Sequence, residues 1–373
     1  MTRQWKPVLV GAVAVSTALL GAIGVVGAGA AQAAPNCTPN VDNSGLSAAV
    51  VAHSHQYLAN RRVDATGCDI GIFVGPGVQH VTVNDVVVTG ANFQGILAYD
   101  TSYLTIKNSR IHDNGFHTLD SSAPALPGSG LHSYVGQSFG ISLFGVSWST
   151  VENNRVTDNG RGGIGVMDTG ANNPGTINQN PSAPLRASTH DRVVGNTMSA
   201  NYGGCGLVAA TQNFGGHLSH LFLAGNRIIG TGTMSESGPD VAGIVVAADL
   251  PNSWVSDVSV VGNKVTNSFE GGVIVNAEAF NSSTRNVAVL GNTLRANNWG
   301  AQEAPDTAGV IVFANPGAEV PPGADAPKNV HTVVAGNRIT EQFYGIYSVG
   351  DFPPIAFGNY IRVTSGGDPI FHG

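Results

Sequence analysis

Several acidic residues stand at a fixed distance after short apolar runs, each of which begins with a Gly followed by an aliphatic residue. The distance from that Gly is five residues in two cases and six in the others. If these runs are neighbouring strands of one parallel sheet, their ends lie about 4.8 Å apart and the acidic side chains form a column along one edge of the sheet. The column comprises Asp100, Asp168, Asp249, Glu278 and Asp351, with Gln212 and Asn315 at the matching places of intervening runs.

Carboxylates stacked in this way suit acid–base chemistry on a glycosidic bond. Asp249 and Glu278 stand on successive runs and would be about 5 Å apart, the separation of nucleophile and acid/base in a retaining glycosidase. Asp168 and Asp249 stand two runs apart, roughly 10 Å, which is nearer to an inverting pair. Stacked carboxylates also raise one another's pKa, which suits a general acid.

Two other interpretations of the acidic column stay open. Carboxylate and amide oxygens are the ligands that Ca²⁺ prefers, so the column could hold that cation. Asp and Asn are also common in turns, because their side chains form hydrogen bonds with the local backbone.

Two long insertions bring further candidates. Residues 115–139 carry His117 and His132, residues 169–190 carry Arg186, and Arg161 stands between the insertions. A histidine there could remove a proton, and either arginine could neutralise a uronate carboxylate, as a polysaccharide lyase requires. Loop histidines are also common as plain surface residues, and their spacing matches no zinc motif.

The elements that would position these groups follow from a repeat. The shortest repeat is 22 residues, from Asn337 to Asn359, and longer repeats gain residues at only two points. The runs alternate with period two and are rich in Val, Ile and Thr, which predicts three short strands per coil of a β-solenoid. Seven asparagines mark the register, each with an apolar run before it and an apolar residue two positions after it: Asn154, Asn196, Asn226, Asn263, Asn292, Asn337 and Asn359.

With these corner asparagines, the chain resembles the right-handed parallel β-helix, or pectin-lyase-like, superfamily. Its turns carry an asparagine ladder between the second and third strands. The resemblance covers roughly residues 68–365 and implies an all-β, single-stranded parallel β-helix of about ten turns. That fold hosts lyases, hydrolases, epimerases and non-enzymes, so it implies no single chemistry. No segment matches a particular catalytic family.

The first strand of each coil is apolar on both sides. Inward residues would fill the core, but the outward ones are also apolar, where solvent would favour polar side chains. Either the inserted loops cover this face, or it is an aromatic-floored groove for sugar rings. In the second case the substrate would contact Tyr99, Phe144, Phe313 and Tyr347.

The N-terminal segment has the features of a secretory signal. Arg3 and Lys6 precede an apolar stretch over residues 7–30, and Ala31-Gln32-Ala33 fits a cleavage site. The alternative is a retained anchor, since the stretch is long enough to span a bilayer. We predict a signal peptide over residues 1–33 and a secreted, extracellular mature protein.

Residues 34–67 are predicted to cap the N-terminal end of the solenoid, and residues 68–373 to form the β-helix domain. Residues 45–61 show no strand alternation and predict a helix, which would cover the open apolar end. Cys37 and Cys68 flank the segment, so we expect a disulfide between them in an oxidising compartment. Cys205 is expected to be a small buried residue.

The charge limits the partners. A net charge of −7, with 11% charged residues, argues against nucleic acid or an anionic membrane. It also mildly disfavours a strongly polyanionic substrate, although a local basic patch would override that. The chain is expected to work as a monomer or homotrimer.

Together these features predict a secreted carbohydrate-active enzyme, a glycoside hydrolase or polysaccharide lyase, that cleaves a polysaccharide in a groove along the first sheet. No cofactor is certain beyond the Ca²⁺ alternative. The competing interpretation is a non-catalytic secreted solenoid that acts as an adhesin, a scaffold or a carbohydrate-binding protein. An open groove with two carboxyl groups facing it would favour the enzyme, and a closed first-sheet face would disfavour it.

Overall fold

The protein is a parallel β-solenoid. The computed structural model describes residues 36–43, 45–115, 139–160, 162–170, 184–201, 204–232, 241–297, 308–315 and 317–373. These residues form 32 strands, numbered here in chain order, and a 3-10 turn at Val41–Asn43. The prediction of an all-β parallel solenoid is confirmed.

The first sheet holds the strands that begin with Gly-aliphatic steps. Successive coils pair in parallel and in register, for example Ile164 with Leu207 and Leu207 with Ile244. Eleven strands of the described residues stack here: β1 (Ala48–Val51), β3 (Ile70–Val74), β5 (Gln94–Tyr99), β8 (Phe139–Phe144), β11 (Gly162–Met167), β15 (Leu207–Ala210), β19 (Ile244–Ala248), β23 (Val273–Ala277), β27 (Ala308–Ala314) and the later parts of β30 (Arg338–Val349) and β32 (Tyr360–His372).

The second and third sheets meet at the corner asparagines. The second sheet comprises the first parts of β2 (Tyr57–Asp64) and β4 (Thr82–Thr89), then β6 (Thr105–Lys107), β9 (Thr150–Glu152), β13 (Arg192–Val194), β17 (Phe222–Ala224), β21 (Ser259–Val261), β25 (Ala288–Leu290), β29 (Val333–Ala335) and β31 (Ile355–Phe357). The third comprises the later parts of β2 and β4, then β7 (Arg110–His112), β10 (Arg155–Thr157), β14 (Thr197–Ser199), β18 (Arg227–Ile229), β22 (Lys264–Thr266), β26 (Thr293–Arg295) and the first parts of β30 and β32.

A small fourth sheet lies in the chain between the first and second sheets. Its five parallel strands are β12 (Ser188–Thr189), β16 (His217–Ser219), β20 (Trp254–Ser256), β24 (Ser283–Arg285) and β28 (Lys328–Val330). In these coils, the residues inserted between the first-sheet strand and the second-sheet strand therefore form an additional strand.

The core is a column of aliphatic side chains inside the coil. Val, Ile and Leu residues from the three main sheets stack on their counterparts in the next coil and are fully buried, as at Ile164, Leu223 and Val265. Each such side chain contributes about 1.5–3 kcal/mol when it is removed from water. Where the third sheet turns into the first, a Cβ at Gly243 would lie 2.1 Å from Cγ1 of Val265, so only glycine fits.

Asparagine ladders hold two corners of the coil. Between the second and third sheets, each buried asparagine donates from Nδ2 to Oδ1 of the next one, as Asn226 does to Asn263 at 3.0 Å. The prediction of this ladder is confirmed. A second ladder, between the third and first sheets, includes Asn114, Asn159 and Asn201, and sequence reasoning missed it.

The predicted helix over residues 45–61 is wrong. The segment forms β1 and the start of β2, and Ala48 pairs with Ile70 of the first sheet. The solenoid therefore begins before residue 68. The apolar run Ala48–Val51 looked helical because it does not alternate, but its strand form is set by pairing with residues that are distant in the chain.

The N-terminal end is closed by the chain that precedes β1. Thr38 pairs antiparallel with Ala48, and Val41 and Leu46 are buried against the outward face of the first sheet. The predicted disulfide is confirmed: Cys37 and Cys68 are bonded, with Cα atoms 5.7 Å apart. Cys205 is buried, as expected.

The predicted signal peptide, residues 1–33, lies outside the described residues. Within the part of the chain that the structure describes, no helix is long and apolar enough to cross a membrane.

Candidate functional site

The acidic side chains after the first sheet occupy two register positions. Strand pairing runs through Ala248, Ala277 and Ala314, so the residues that follow them lie side by side on successive coils. We call this set the Glu278 row: Gln212, Asp249, Glu278, Asn315 and Asp351.

Asp100 and Asp168 lie one position earlier than the Glu278 row. Phe144 pairs with Tyr99 and with Met167, so the residues after Tyr99 and Met167 align with each other. Met167 pairs with Ala210, and Ala210 pairs with Ala247 on the following coil. Asp168 is therefore level with Ala248, one position before Asp249. Since side chains alternate across a strand, a shift of one position reverses the direction of the side chain. The predicted single column is wrong for these two residues.

Asp168 connects its coil to the next coil through hydrogen bonds. Its side chain is fully buried, and its carboxylate accepts hydrogen bonds from the N–H of Gln212 and from Nδ2 of Asn213, the latter at 3.0 Å. Burial raises the pKa of Asp168 to about 6. In this conformation the carboxylate of Asp168 is enclosed and connects its coil to the next one, and its catalytic role stays a prediction.

The burial of Asp168 predicts a specific pH dependence of stability. Its pKa rises from 3.8 to about 6 on folding, so the folded state loses stability as the pH increases through that range. The change corresponds to about 3 kcal/mol. In Asp168→Asn the new Nδ2 would face Nδ2 of Asn213, and turning the Asn213 amide over would bring its Oδ1, which has no hydrogen-bond partner in the described structure, to the new donor. In urea denaturation, the free energy of unfolding of the variant relative to that of the parent should rise by about 3 kcal/mol from about pH 4 to about pH 7.5.

Asp257→Asn is the matched control for this measurement. A hydrogen bond from Asn286 lowers the pKa of Asp257, so its removal should shift stability in the opposite direction with pH. A stability difference between Asp168→Asn and the parent that does not change with pH would contradict the raised pKa of Asp168.

Glu278 is the most organised carboxyl group of its row. Nδ2 of Asn276 donates to its Oε1 at 2.8 Å, and Nδ2 of Asn315 donates to its main-chain carbonyl at 3.3 Å. The side chain is half-buried. Burial raises the pKa of Glu278, and the hydrogen bonds from Asn276 and Asn315 oppose the rise. Glu278 therefore holds a proton to a higher pH than an exposed glutamate does.

Asp249 stands one coil before Glu278 and is also half-buried. Its N–H donates to Oγ1 of Thr211, and the N–H of Glu278 donates to the carbonyl of Ala248, so the backbone around both residues is held by the coil before it. Successive coils lie about 4.8 Å apart. The two residues thus follow one sheet edge on neighbouring coils, with their backbones at about the spacing of a catalytic pair.

The outward face of the first sheet is closed. Its apolar side chains form a second buried cluster, which includes Leu97, Val245, Ile274 and Ile311. Of the predicted substrate contacts, Tyr99, Phe144 and Tyr347 belong to this buried cluster and Phe313 is half-buried against it. Of the two alternatives for this face, a covered surface is the one observed. The predicted open groove along these residues is not present in this conformation.

Of the remaining predicted site residues, the structure describes Arg186 alone. Arg186 lies beside Asp100, with Nε 3.4 Å from Oδ1, and both side chains are partly exposed. His117, His132 and Arg161 lie outside the described residues, so their roles stay predictions. In the ranges that are described, no three His, Cys, Asp or Glu side chains converge to hold a metal ion.

Comparison with known proteins agrees with the coil geometry. A family model described as right handed beta helix region matches residues 47–213. The fold is similar to the A-module of the mannuronan C-5 epimerase AlgE4 of Azotobacter vinelandii, with a TM-score of 0.51 and 15% sequence identity, over 88% of this chain and 84% of the other. The chain therefore has the right-handed parallel β-helix fold.

Two further solved structures resemble this β-helix protein less closely. The surface adhesin PfbA of Streptococcus pneumoniae is 13% identical, with a TM-score of 0.47, over 87% of this chain and 84% of the adhesin. An alginate lyase from Paenibacillus sp. str. FPU-7 is 13% identical, with a TM-score of 0.41, over 87% of this chain and 86% of the lyase. No curated protein matches the sequence. The likeness to the AlgE4 A-module, at 15% identity, shows a shared fold and leaves the chemistry to the chain's own residues.

A row of cations on the third sheet of the β-helix was missed by sequence reasoning. Strands β18, β22, β26, β30 and β32 line an open groove of about 1100 Å³, which we call the third-sheet groove. A signal was present in the sequence, because the residue directly after a corner asparagine is the first outward residue of the third sheet. That residue is cationic at Arg155, Arg227, Lys264 and Arg338.

Proposed function

We propose that this protein is a secreted glycoside hydrolase that cleaves a polysaccharide at the Asp249–Glu278 end of the first sheet. The observation that carries the proposal is the half-buried carboxyl group of Glu278, whose pKa is raised by burial and whose Oε1 is held by Asn276. A general acid must keep its proton near the working pH and must be fixed in position. The raised pKa and the hydrogen bond from Asn276 both favour Glu278 for this role.

Asp249 is the partner of Glu278 in this mechanism. Glu278 donates its proton to the glycosidic oxygen as the bond to the leaving sugar breaks, and the carboxylate of Asp249 attacks the anomeric carbon. Water then displaces Asp249 from the sugar, and Glu278 takes the proton from that water. Carboxyl groups on successive coils, about 5 Å apart, favour this retaining course over an inverting one.

The substrate would approach the sheet edge and not the outward sheet face. Leu97, Tyr99 and Tyr347 are buried, so a sugar chain cannot lie along the first sheet in this conformation. Gln212 and Asn315 are half-buried on either side of Asp249 and Glu278 and supply amide groups for sugar hydroxyls. The bound sugars would therefore cross the ends of the strands.

The second candidate is a secreted β-solenoid that binds a polysaccharide without cleaving it. The observation that favours it is the closed outward face of the first sheet, since that closure removes the extended groove expected for a polysaccharide-cleaving enzyme of this fold. In that case Asp249 and Glu278 only stabilise the turns at the sheet edge and take no part in catalysis. Both candidates are extracellular, and the Cys37–Cys68 disulfide supports an oxidising compartment.

A panel of neutral and acidic polysaccharides tests the proposal. We would measure new reducing ends together with ultraviolet absorbance from unsaturated products. Reducing ends without that absorbance support hydrolysis. Reducing ends with the absorbance show elimination. The candidate catalytic residues would then be His117, His132 and Arg161. Binding without any cleavage across the panel would reject the enzyme in favour of the second candidate.

A further inference from the structure

The third-sheet groove carries one cation on each of five successive coils. Strand pairing places Arg227, Lys264 and Arg338 in one outward row and Arg295 and Arg362 in the other outward row, two residues further along each strand. Every coil from β18 to β32 therefore presents one positive charge. With coils about 4.8 Å apart, the five charges span roughly 19 Å.

The charge of the groove is opposite to that of the whole chain. Among the residues that line it, Glu341 is the sole carboxylate, and Oε1 of Glu341 is bonded to Nε of Arg295 at 2.8 Å. The chain as a whole has a net charge of −7. A row of positive charge on an acidic protein costs repulsion between its members, and a polyanionic ligand would relieve that repulsion.

The floor of the groove is suited to a sugar chain. Hydroxyl groups of Thr266, Thr293 and Thr340 lie among the cations. Tyr360 also lines the groove, and the guanidinium of Arg338 lies 4.8 Å from the centre of its ring. Hydroxyl groups pair with sugar hydroxyls, and a partly exposed aromatic ring offers a face for the apolar side of a pyranose.

We propose that the third-sheet groove binds a linear acidic polysaccharide with one carboxylate per sugar, such as a polyuronate. The rise of one pyranose unit in an extended chain is close to the spacing of the coils, so a chain that runs parallel to the solenoid axis places a carboxylate near each cation. Arginine is suited to carboxylates because its planar guanidinium donates hydrogen bonds to both carboxylate oxygens. Arg110 and Arg155 line a smaller pocket on the same sheet together with Asp158, and the coil of Thr197 separates them from Arg227.

This binding site is separate from the Glu278 row. The cations lie on the third sheet, whereas Asp249 and Glu278 follow the first sheet. The groove can therefore hold an acidic polysaccharide whether or not the protein cleaves one, and the two proposals fail or succeed independently.

Calorimetric titration with oligouronates long enough to cross all five coils tests the site. The variant Lys264→Gln/Arg338→Gln removes two cations of the same outward row, on coils that are separated by the coil of Thr293. The matched control, Lys107→Gln/Arg285→Gln, removes the same charge from the second and fourth sheets. We expect about a tenfold weaker Kd for the groove variant and no change for the control, with thermal denaturation confirming that both are folded.

Salt and ligand controls sharpen the test. Binding to the parent should weaken as NaCl is raised, because the screening length falls from about 10 Å at 0.1 M to about 3 Å at 1 M. Neutral glucans of the same length should not bind. Equal loss of oligouronate binding in both variants, or binding to neutral glucans that both variants retain, would overturn the proposal. Tighter binding of single-stranded DNA than of oligouronate, lost in the groove variant, would reassign the groove to nucleic acid.

Discussion

Replacing Asn263 by alanine is expected to lower the free energy of unfolding by about 4 kcal/mol. Asn263 is buried in the middle of the corner ladder, and its amide takes part in four hydrogen bonds. Its Oδ1 accepts from the N–H of Asn226, and its Nδ2 donates to the carbonyl of Leu223. The alanine variant leaves these buried backbone groups without that partner, and each unsatisfied group costs about 1–3 kcal/mol.

Asn84→Ala is the matched control for the ladder. Asn84 also makes two side-chain hydrogen bonds, to Tyr57 and Asn108, but both are exposed to solvent. Water replaces the lost partners there, so we expect a loss of less than about 1 kcal/mol. Urea denaturation compares the two variants, and amide hydrogen exchange at Asn226 shows whether the loss is local. A midpoint for Asn263→Ala no lower than that for Asn84→Ala would contradict a stabilising role for the ladder.

Replacing Glu278 by glutamine is expected to reduce the rate of polysaccharide cleavage by about 10²–10⁴-fold, because glutamine cannot give a proton to the leaving group. The hydrogen bond with Asn276 can be kept by the new amide oxygen, so the fold around the site should be preserved. The loss should be much smaller on an aryl glycoside whose leaving group needs no protonation. That difference between substrates is specific to a general acid.

Asp249→Asn should behave differently, because a nucleophile is needed for either kind of leaving group. We expect a similar or larger loss on both the polysaccharide and the aryl glycoside. Glu152→Gln, on the second sheet, removes a half-exposed carboxylate far from this step and serves as the control. Unchanged cleavage by Glu278→Gln, with Asp249→Asn also active, would remove both residues from the mechanism.

The fold was predictable because the sequence repeats once per coil. Each corner asparagine bonds to the backbone of the coil before it and to the next asparagine, so its position recurs once per coil. The helix predicted over residues 45–61 failed for a related reason. Ala48–Val51 has no corner asparagine beside it, and its strand form depends on Ile70, which is 22 residues away.

The candidate site was predictable only to within one residue. The difference between five and six residues after the strand-opening glycine was visible in the sequence, but its consequence was not. In the folded coil it separates Asp168, which is buried and bonded to Gln212, from Asp249 and Glu278, which project from the sheet edge. A shift of one residue in a strand exchanges its two faces, and register is fixed by pairing with other coils.

The sequence by itself determined that the chain stacks short strands into a parallel solenoid, that its corners carry asparagine, and that Cys37 pairs with Cys68. Those features depend on residue type and on spacing along the chain. Tertiary structure alone decided that the first-sheet face is closed, that Glu278 is held by Asn276, and that cations from five coils meet in one groove. These depend on which residues, far apart in the chain, lie about 4.8 Å from each other once the coils are stacked.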